Sequence, residues 1–109
     1  MKVNHQHYTY SITWSKEDGE FVGLCAEFPS LSHLDTSLVA ALEGISNLVA
    51  EVLEDMETSG EPIPQPLAEK KYSGKFQIRI PPEQHRSLAI KAAESGVSLN
   101  RYISLKLCS

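Results

Sequence analysis

Residues 73–81 read SGKFQIRIP, a stretch in which polar and apolar side chains alternate from residue 75 to residue 80. The polar side chains are those of Lys75, Gln77 and Arg79. The apolar ones, which we expect to be buried, are those of Phe76, Ile78 and Ile80. Because successive residues of a strand point to opposite faces, the pattern predicts a short strand with one apolar face. In β-ribbons that enter the major groove of B-DNA, Arg or Lys contacts guanine and Gln contacts adenine, so we expect the polar face to read bases.

Two helices are predicted directly after this strand. The first begins at Pro82, because proline is favoured in the first turn, and ends at Gly96. Its apolar side consists of Leu88, Ala89, Ala92 and Ala93. Ser98 is the predicted cap of the second helix, LNRYISLKL, residues 99–107. The apolar side of that helix consists of Leu99, Tyr102, Ile103 and Leu107.

A region with one strand and two short helices is too small to hold a core of its own. A lone strand also leaves two unpaired edges. Two copies that pair their strands and share a core would remove both problems, so the sequence predicts a homodimer over residues 73–109, and dimers could pair further into tetramers. An alternating strand taken alone is typical of a solvated sheet face. The two helices that follow and the basic charge of this region favour base reading instead.

Charge is divided unequally along the chain, whose net charge is −4. Residues 1–69 contain two lysines and twelve carboxylates, a net charge of −10, whereas residues 70–109 contain eight basic and two acidic residues, a net charge of +6. Such a division is typical of a nucleic-acid-binding end joined to a part that avoids nucleic acid or binds a basic protein. The N-terminus has no apolar secretory core, and no apolar run reaches the ~18 residues needed to cross a bilayer. We therefore expect a cytoplasmic protein without a membrane partner.

A proline-rich segment separates the acidic half from the basic half. Residues 59–72 read SGEPIPQPLAEKKY, with prolines at 62, 64 and 66. Prolines at this spacing cannot continue a helix and lack the amide donors of a central strand, so an extended linker is expected. The predicted organisation is an N-terminal domain over 1–60, a linker over 61–72 and a C-terminal domain over 73–109. Lys70 and Lys71, at the end of the linker, are expected to make loose phosphate contacts.

The acidic half predicts an α+β domain. YTYSITWS (8–15) and FVGLCAEF (21–28) are predicted strands of an antiparallel hairpin whose turn includes Gly19. A third strand is expected from residues 30–34 or from the linker. One amphipathic helix then begins after a cap at Asp35, Thr36 or Ser37 and ends at Gly60, and it would cover the hairpin. Its predicted apolar stripe is Leu38, Leu42, Ile45, Val49, Val52 and Met56.

The segment SGKFQIRIPPEQHRSLAIKAAESGVSLNRYISLKL (73–107) resembles the ribbon-helix-helix module of HicB-family antitoxins from type II toxin–antitoxin systems. The resemblance depends on SGKF, RIP, H-x-x-L-A and G-V-S-L-N at these spacings. YSITWSKEDGEFVGLCAEFPSL also resembles the family's toxin-facing domain, which has been likened to a partial RNase H fold. The chain departs from the family pattern at Leu34, where a glycine is common, and at Val39 and Ala40, where a glutamate is frequent.

The resemblance implies an antitoxin with two activities. Its N-terminal domain would mask a small basic HicA-type toxin, an mRNA-cleaving ribonuclease. Its dimeric C-terminal domain would bind an inverted-repeat operator and repress its own operon. By position, the implied base readers are Lys75, Gln77 and Arg79, and the implied phosphate anchors are Ser98, Leu99 and Asn100. An alternative is an orphan transcriptional regulator without a toxin, which the sequence alone does not separate from the antitoxin. No cofactor is expected.

A metal-dependent nuclease is a further alternative, because the N-terminal domain resembles a nuclease fold. Such an enzyme needs several carboxylates converging from strands. The predicted strands supply only Glu27, while Glu17, Asp18 and Glu20 crowd a turn and Asp35 is better placed as a helix cap. We therefore expect no enzyme activity and no catalytic residue.

Histidines and cysteines give no strong metal or redox signal. His5 and His7 form an H-x-H pair without a nearby third ligand, so a frayed terminus is favoured over a metal site. His33 is predicted to be a loop histidine without a partner. Cys25 and Cys108 have no C-x-x-C spacing and are predicted to be a core residue and a tail residue.

Overall fold

The computed structural model describes residues 3–108, and the chain folds as two units, Met1–Tyr72 and Ser73–Ser109. Both are small, and together they make an α+β chain. The first unit contains a short 3₁₀ helix at His5–His7, β1 at Tyr10–Ser15, β2 at Glu20–Cys25, β3 at Ser32–Asp35, α1 at Leu38–Ser59 and a second 3₁₀ helix at Leu67–Glu69. The second contains α2 at Pro82–Glu94 and α3 at Leu99–Leu107. None of the helices within residues 3–108 is long and apolar enough to cross a membrane.

The three strands of the first unit form one antiparallel sheet in the order β1-β2-β3. Tyr10 lies opposite Cys25 and Ser15 opposite Glu20, and the turn between them uses Gly19 at φ 65°. The predicted hairpin is confirmed, but its strands are shorter than predicted, because residues 8–9 and 26–28 lie outside them. The third strand comes from the segment after the hairpin rather than from the proline-rich segment, with Asp35 opposite Phe21.

Helix α1 has the ends that its sequence predicts. Of the three candidate caps, Ser37 is the one used, and its hydroxyl accepts a hydrogen bond from the Ala40 amide at 3.0 Å. Gly60 ends the helix in the left-handed conformation, at φ 74°. A residue with a side chain is strained in this conformation, so glycine stops the helix at little cost.

The buried side of α1 differs from the predicted stripe at its beginning. Ala41, Ile45, Val49 and Leu53 are buried, and Val52 and Met56 pack at the edge of the core. Leu38 and Leu42, predicted to begin the stripe, are exposed, so that part of the prediction was wrong. The reason is a close approach between α1 and β2: at Gly23 a methyl group would lie 2.7 Å from the Ala41 carbonyl oxygen. The helix therefore turns its small residue, Ala41, toward the sheet.

The proline-rich segment is docked on the first unit over much of its length. Ile63 packs against the core, and Pro66 is fully buried. The Tyr8 hydroxyl donates a hydrogen bond to the Pro64 carbonyl at 2.7 Å, and His7 pairs with Glu69. Burial and the carboxylate of Glu27 nearby raise the pKa of Tyr8 to about 12. This hydroxyl therefore remains a donor over the whole physiological pH range.

Glu27, just after β2, connects the start of the sheet to the docked segment. Its carboxylate accepts hydrogen bonds from the Leu67 amide at 2.9 Å and from the Thr9 amide at 2.9 Å. The Thr9 hydroxyl donates a further one at 3.0 Å. Burial raises the pKa of Glu27, but the hydrogen bonds from the Leu67 and Thr9 amides outweigh burial, so the pKa is lower than usual.

Replacing Glu27 should weaken the first unit in a pH-dependent way. We expect Glu27→Ala to lower the free energy of unfolding by about 2 kcal/mol at neutral pH, because two amides lose a charged acceptor. The unfolded chain takes up the Glu27 proton at a higher pH than the folded chain does. The wild-type advantage is therefore present above the ordinary glutamate pKa and is lost as the pH falls through the folded value.

Urea unfolding followed by Trp14 fluorescence measures this loss, since Trp14 is the single tryptophan of the chain and lies in the first unit. Glu51→Ala, at an exposed position of α1, is the matched control and should change stability little. Equal losses in the two variants would show that Glu27 does not hold the docked segment.

The second unit has the two predicted helices with the predicted ends. α2 starts at Pro82, and the turn after it has Gly96 at φ 71°. The Ser98 hydroxyl caps α3 by accepting a hydrogen bond from the Arg101 amide at 3.1 Å. Within residues 73–108, however, Ala92 is the single buried residue. This unit therefore has almost no core within one chain.

Candidate nucleic-acid interface

The alternating segment at residues 75–80 is exposed along its whole length and is neither helix nor strand in the single chain. Phe76 is 72% exposed and Ile78 58% exposed. The prediction that Phe76, Ile78 and Ile80 are buried is therefore wrong for one chain by itself. The physical reason is that no second strand lies beside them within the described part of this unit, so their apolar side has nothing to pack against.

An apolar groove of about 670 Å³ lies between this segment and the helices of the same unit. Phe76, Ile78 and Ile80 line one side, and Leu88 of α2 joins them. The α3 residues that line it are Leu99, Asn100, Ile103, Ser104, Lys106 and Leu107. Most of the apolar residues predicted to form a shared core thus meet around one open groove, although they bury little of one another.

The predicted base readers, Lys75, Gln77 and Arg79, are all exposed. Among residues 3–108 their side chains have no hydrogen-bond or ion-pair partner, so their donors are available to a ligand. Lys75 also lines the apolar groove, next to Phe76. The structure of one chain does not test whether the three side chains contact DNA, so their role stays a prediction.

The predicted phosphate anchors lie at the start of α3. Ser98 has extended backbone, and its carbonyl accepts the first helical hydrogen bond, from the Tyr102 amide at 2.9 Å. The first amides of a helix have no acceptor within the helix, and the Ser98 hydroxyl satisfies that of Arg101. The amides of Leu99 and Asn100 precede it in the same turn. Such amides are suited to hold a phosphate oxygen, and the role of Ser98, Leu99 and Asn100 as phosphate anchors stays a prediction.

The predictions for His33 and for the terminus around His5 and His7 were wrong, because the partners of these histidines come together only in the folded chain. His33 lies in β3 and has its Nε2 atom 3.2 Å from the Asp35 carboxylate. Its ring packs against Gly44, where a methyl group would come within 2.0 Å of it. The hydrogen bonds from His33 and from the Thr36 amide lower the pKa of Asp35. Asp35 is therefore a strand residue with a histidine partner. The capping role considered for Asp35 belongs to Ser37.

The terminus around His5 and His7 is ordered rather than frayed. These residues form a 3₁₀ helix that the Asn4 side chain caps at the Gln6 amide, and His7 pairs with Glu69. No pattern in the sequence indicates that pair, because its members are 62 residues apart. Within residues 3–108 no group of three or more His, Cys, Asp or Glu side chains is placed to hold a metal ion.

The carboxylates considered for a nuclease site have structural roles or lie in the hairpin turn, except Glu20, which begins β2. Glu27 is held by backbone amides, as described above. Asp18 accepts a hydrogen bond from the Ser15 hydroxyl at 2.8 Å, within the turn. Cys25 is buried and Cys108 exposed, both as free thiols, which confirms the predicted core and tail positions.

The two units define an α+β protein in which a three-stranded antiparallel sheet covered by one long helix precedes a two-helix unit with an open apolar groove. Residues 57–107, slightly less than half of the chain, match the family model of the HicB family, so this part of the chain is similar to that family. The match runs from the last turn of α1 to the end of α3. None of the curated proteins and none of the solved structures compared with the chain matches it.

Proposed function

We propose that this chain is a HicB-type antitoxin that represses its own operon through a dimeric ribbon-helix-helix domain. One observation carries the proposal: the second unit buries almost nothing by itself and leaves an alternating segment and an apolar groove uncovered. In this proposal the first unit masks a HicA-type toxin and carries no catalytic activity. In the same proposal, its sheet and covering helix are a partial RNase H fold.

A second copy of the chain satisfies what the second unit lacks. If residues 75–80 of two copies pair as antiparallel strands, each segment gains a partner for its backbone amides and carbonyls. The same pairing brings Phe76, Ile78 and Ile80 of both copies over the two grooves, where they form a shared core. Burial of a large apolar side chain contributes about 1.5–3 kcal/mol, so several such residues per copy are enough to hold a small dimer.

The paired ribbon then presents Lys75, Gln77 and Arg79 of both copies on its outer face. Within residues 3–108 their side-chain donors have no partner, and residues 70–109 carry a net charge of +6. A two-fold ribbon of this kind matches an inverted-repeat operator. The amides of Leu99 and Asn100, at the capped start of α3, would fix the position of the domain on the phosphates.

Base reading and phosphate binding are separated by two sets of substitutions. We expect Arg79→Ala to reduce the preference for the operator over random DNA by at least about 30-fold, since one bidentate base contact discriminates by about 1–3 kcal/mol and the dimer loses two. The double variant Lys70→Ala, Lys71→Ala should weaken binding to both DNAs alike and should flatten the salt dependence.

Fluorescence anisotropy with the region upstream of the operon and with random duplex, at several salt concentrations, measures both effects. Each variant serves as the control for the other. If Arg79→Ala weakened the two DNAs by the same factor, Arg79 would be a phosphate contact and the proposed reading face would be wrong.

A further inference from the structure

The helix-covered face of the sheet in the first unit ends in an uncovered aromatic pair. Trp14 of β1 lies opposite Phe21 of β2, and Phe21 lies opposite Asp35 of β3, so the three share one cross-strand row at the hairpin end of this face. The Trp14 and Phe21 rings meet edge to face, 5.0 Å apart. Even so, Trp14 is 53% exposed.

The start of α1 explains why this row is uncovered. α1 crosses the next row, where Gly23 contacts Ala41 and Ile45 and where His33 contacts Gly44. A helical turn advances 5.4 Å and two strand residues about 6.6 Å, so the row of Trp14 corresponds to the turn before Ala41. That turn is the first of the helix and contains Leu38, which is 53% exposed.

Together these residues make an exposed apolar surface, which we name the Trp14 patch. It consists of the exposed Trp14, Leu38 and Leu42 and the half-buried Phe21. Leu42 follows Leu38 by four residues on the same side of α1 and is also exposed. Grouped exposed apolar side chains on a small domain are typical of an interaction site, whereas scattered ones are ordinary.

The rim of the Trp14 patch is acidic. The hairpin turn next to Trp14 contains one lysine and two carboxylates, Glu17 and Asp18, and Asp35 completes the aromatic row. This arrangement would repel nucleic acid. It would also disfavour a two-fold contact between copies, because such a contact places the same acidic rim against itself.

We propose that the Trp14 patch is the surface that binds the small basic toxin, an inference that rests on the proposed antitoxin function. Trp14 is the anchor at the centre, since a partly exposed aromatic side chain buries a large area on binding with little loss of conformational freedom. The carboxylates of the rim face basic side chains of the partner and increase the rate of encounter.

The test uses the full chain and the small basic protein encoded beside its gene, with affinity measured by isothermal titration calorimetry. We expect Trp14→Ala and Leu38→Asp each to weaken binding at least about 30-fold, the range of a central interface residue. Leu24→Ala is the matched control: Leu24 has a similar exposed apolar side chain on the opposite face of the same sheet, and its replacement should leave binding unchanged.

Thermal unfolding and the mass of the chain alone separate a loss of folding from a loss of binding. Thermal unfolding shows whether each variant is folded. Leu38→Asp lies at an exposed position, so it still tests the patch if Trp14→Ala unfolds. If the wild-type chain does not bind the basic protein, the antitoxin function itself fails. If it binds and both patch variants bind as tightly, the function stands and the Trp14 patch is the wrong surface. A change in the mass of the chain alone on Trp14→Ala would instead make the patch a contact between copies, which also overturns the inference.

Discussion

Ile78→Glu should convert the chain from a dimer to a monomer and should weaken operator binding by at least about 1000-fold. Ile78 is the middle apolar residue of the segment at 75–80 and lines the open groove. In the proposed ribbon the two copies of this residue lie near the two-fold axis, so the variant would bury two carboxylates in one small core. Burying unpaired charge costs several kcal/mol, and about 4 kcal/mol already corresponds to the stated factor.

Light scattering after size exclusion measures the mass, and a gel shift with the upstream region measures operator binding. Gln77→Ala is the matched control, because it alters the neighbouring residue on the outer face. That variant should remain dimeric while it loses preference for the operator. A dimeric Ile78→Glu chain would mean that the copies meet through another surface and that the paired ribbon does not exist.

The elements of the second unit could be predicted from the sequence because their ends are fixed locally. Pro82, Gly96 and Ser98 act on residues within one turn of themselves, so each signal is contained in a few letters. The hairpin of the first unit was predictable for the same reason: strand alternation and a glycine turn lie within sixteen consecutive residues, Tyr10 to Cys25.

Contacts between distant parts of the chain could not be predicted in this way. The Glu27 carboxylate binds an amide forty residues away, and no local pattern distinguishes this glutamate from the eleven other carboxylates in residues 1–69. The buried position of Pro66 could not be predicted for the same reason. A proline-rich sequence predicts an extended linker, and the surface on which this one packs is formed by distant residues. The pair of His33 and Asp35 is close in sequence, but it requires β3 to form.

The buried face of α1 was predicted wrongly at its first turns, because the prediction did not include the close contact between Gly23 and the helix. Helical periodicity identified an apolar side but could not distinguish a stripe that starts at Leu38 from one that starts at Ala41. The choice depends on Gly23, which lies in another element and lets the helix approach the sheet closely. The consequence is functional, because the leucines left outside, Leu38 and Leu42, are available to the Trp14 patch.

Gly23→Ala should therefore destabilise the first unit strongly, by about 3 kcal/mol, the upper part of the range for an overpacked core. The added methyl group would lie 2.7 Å from the Ala41 carbonyl oxygen and 2.9 Å from a methyl carbon of Ile45. The carbonyl belongs to the helix backbone and cannot rotate away, so the whole of α1 would have to move off the sheet. Urea unfolding followed by Trp14 fluorescence reports this unit alone.

Gly44→Ala provides the comparison that identifies the cause. There the three atoms nearest to the added methyl group all belong to the His33 ring, at 2.0–2.5 Å. A side chain can be removed, so His33→Ala in the Gly44→Ala background should recover most of the lost stability. No equivalent rescue is expected for Gly23→Ala by Ile45→Ala, which removes the crowding methyl carbon, because the nearer obstacle, the Ala41 carbonyl, remains. A double variant as stable as Ile45→Ala alone would show that side-chain crowding, and not the approach of the helix backbone, decides which leucines of α1 stay outside the core.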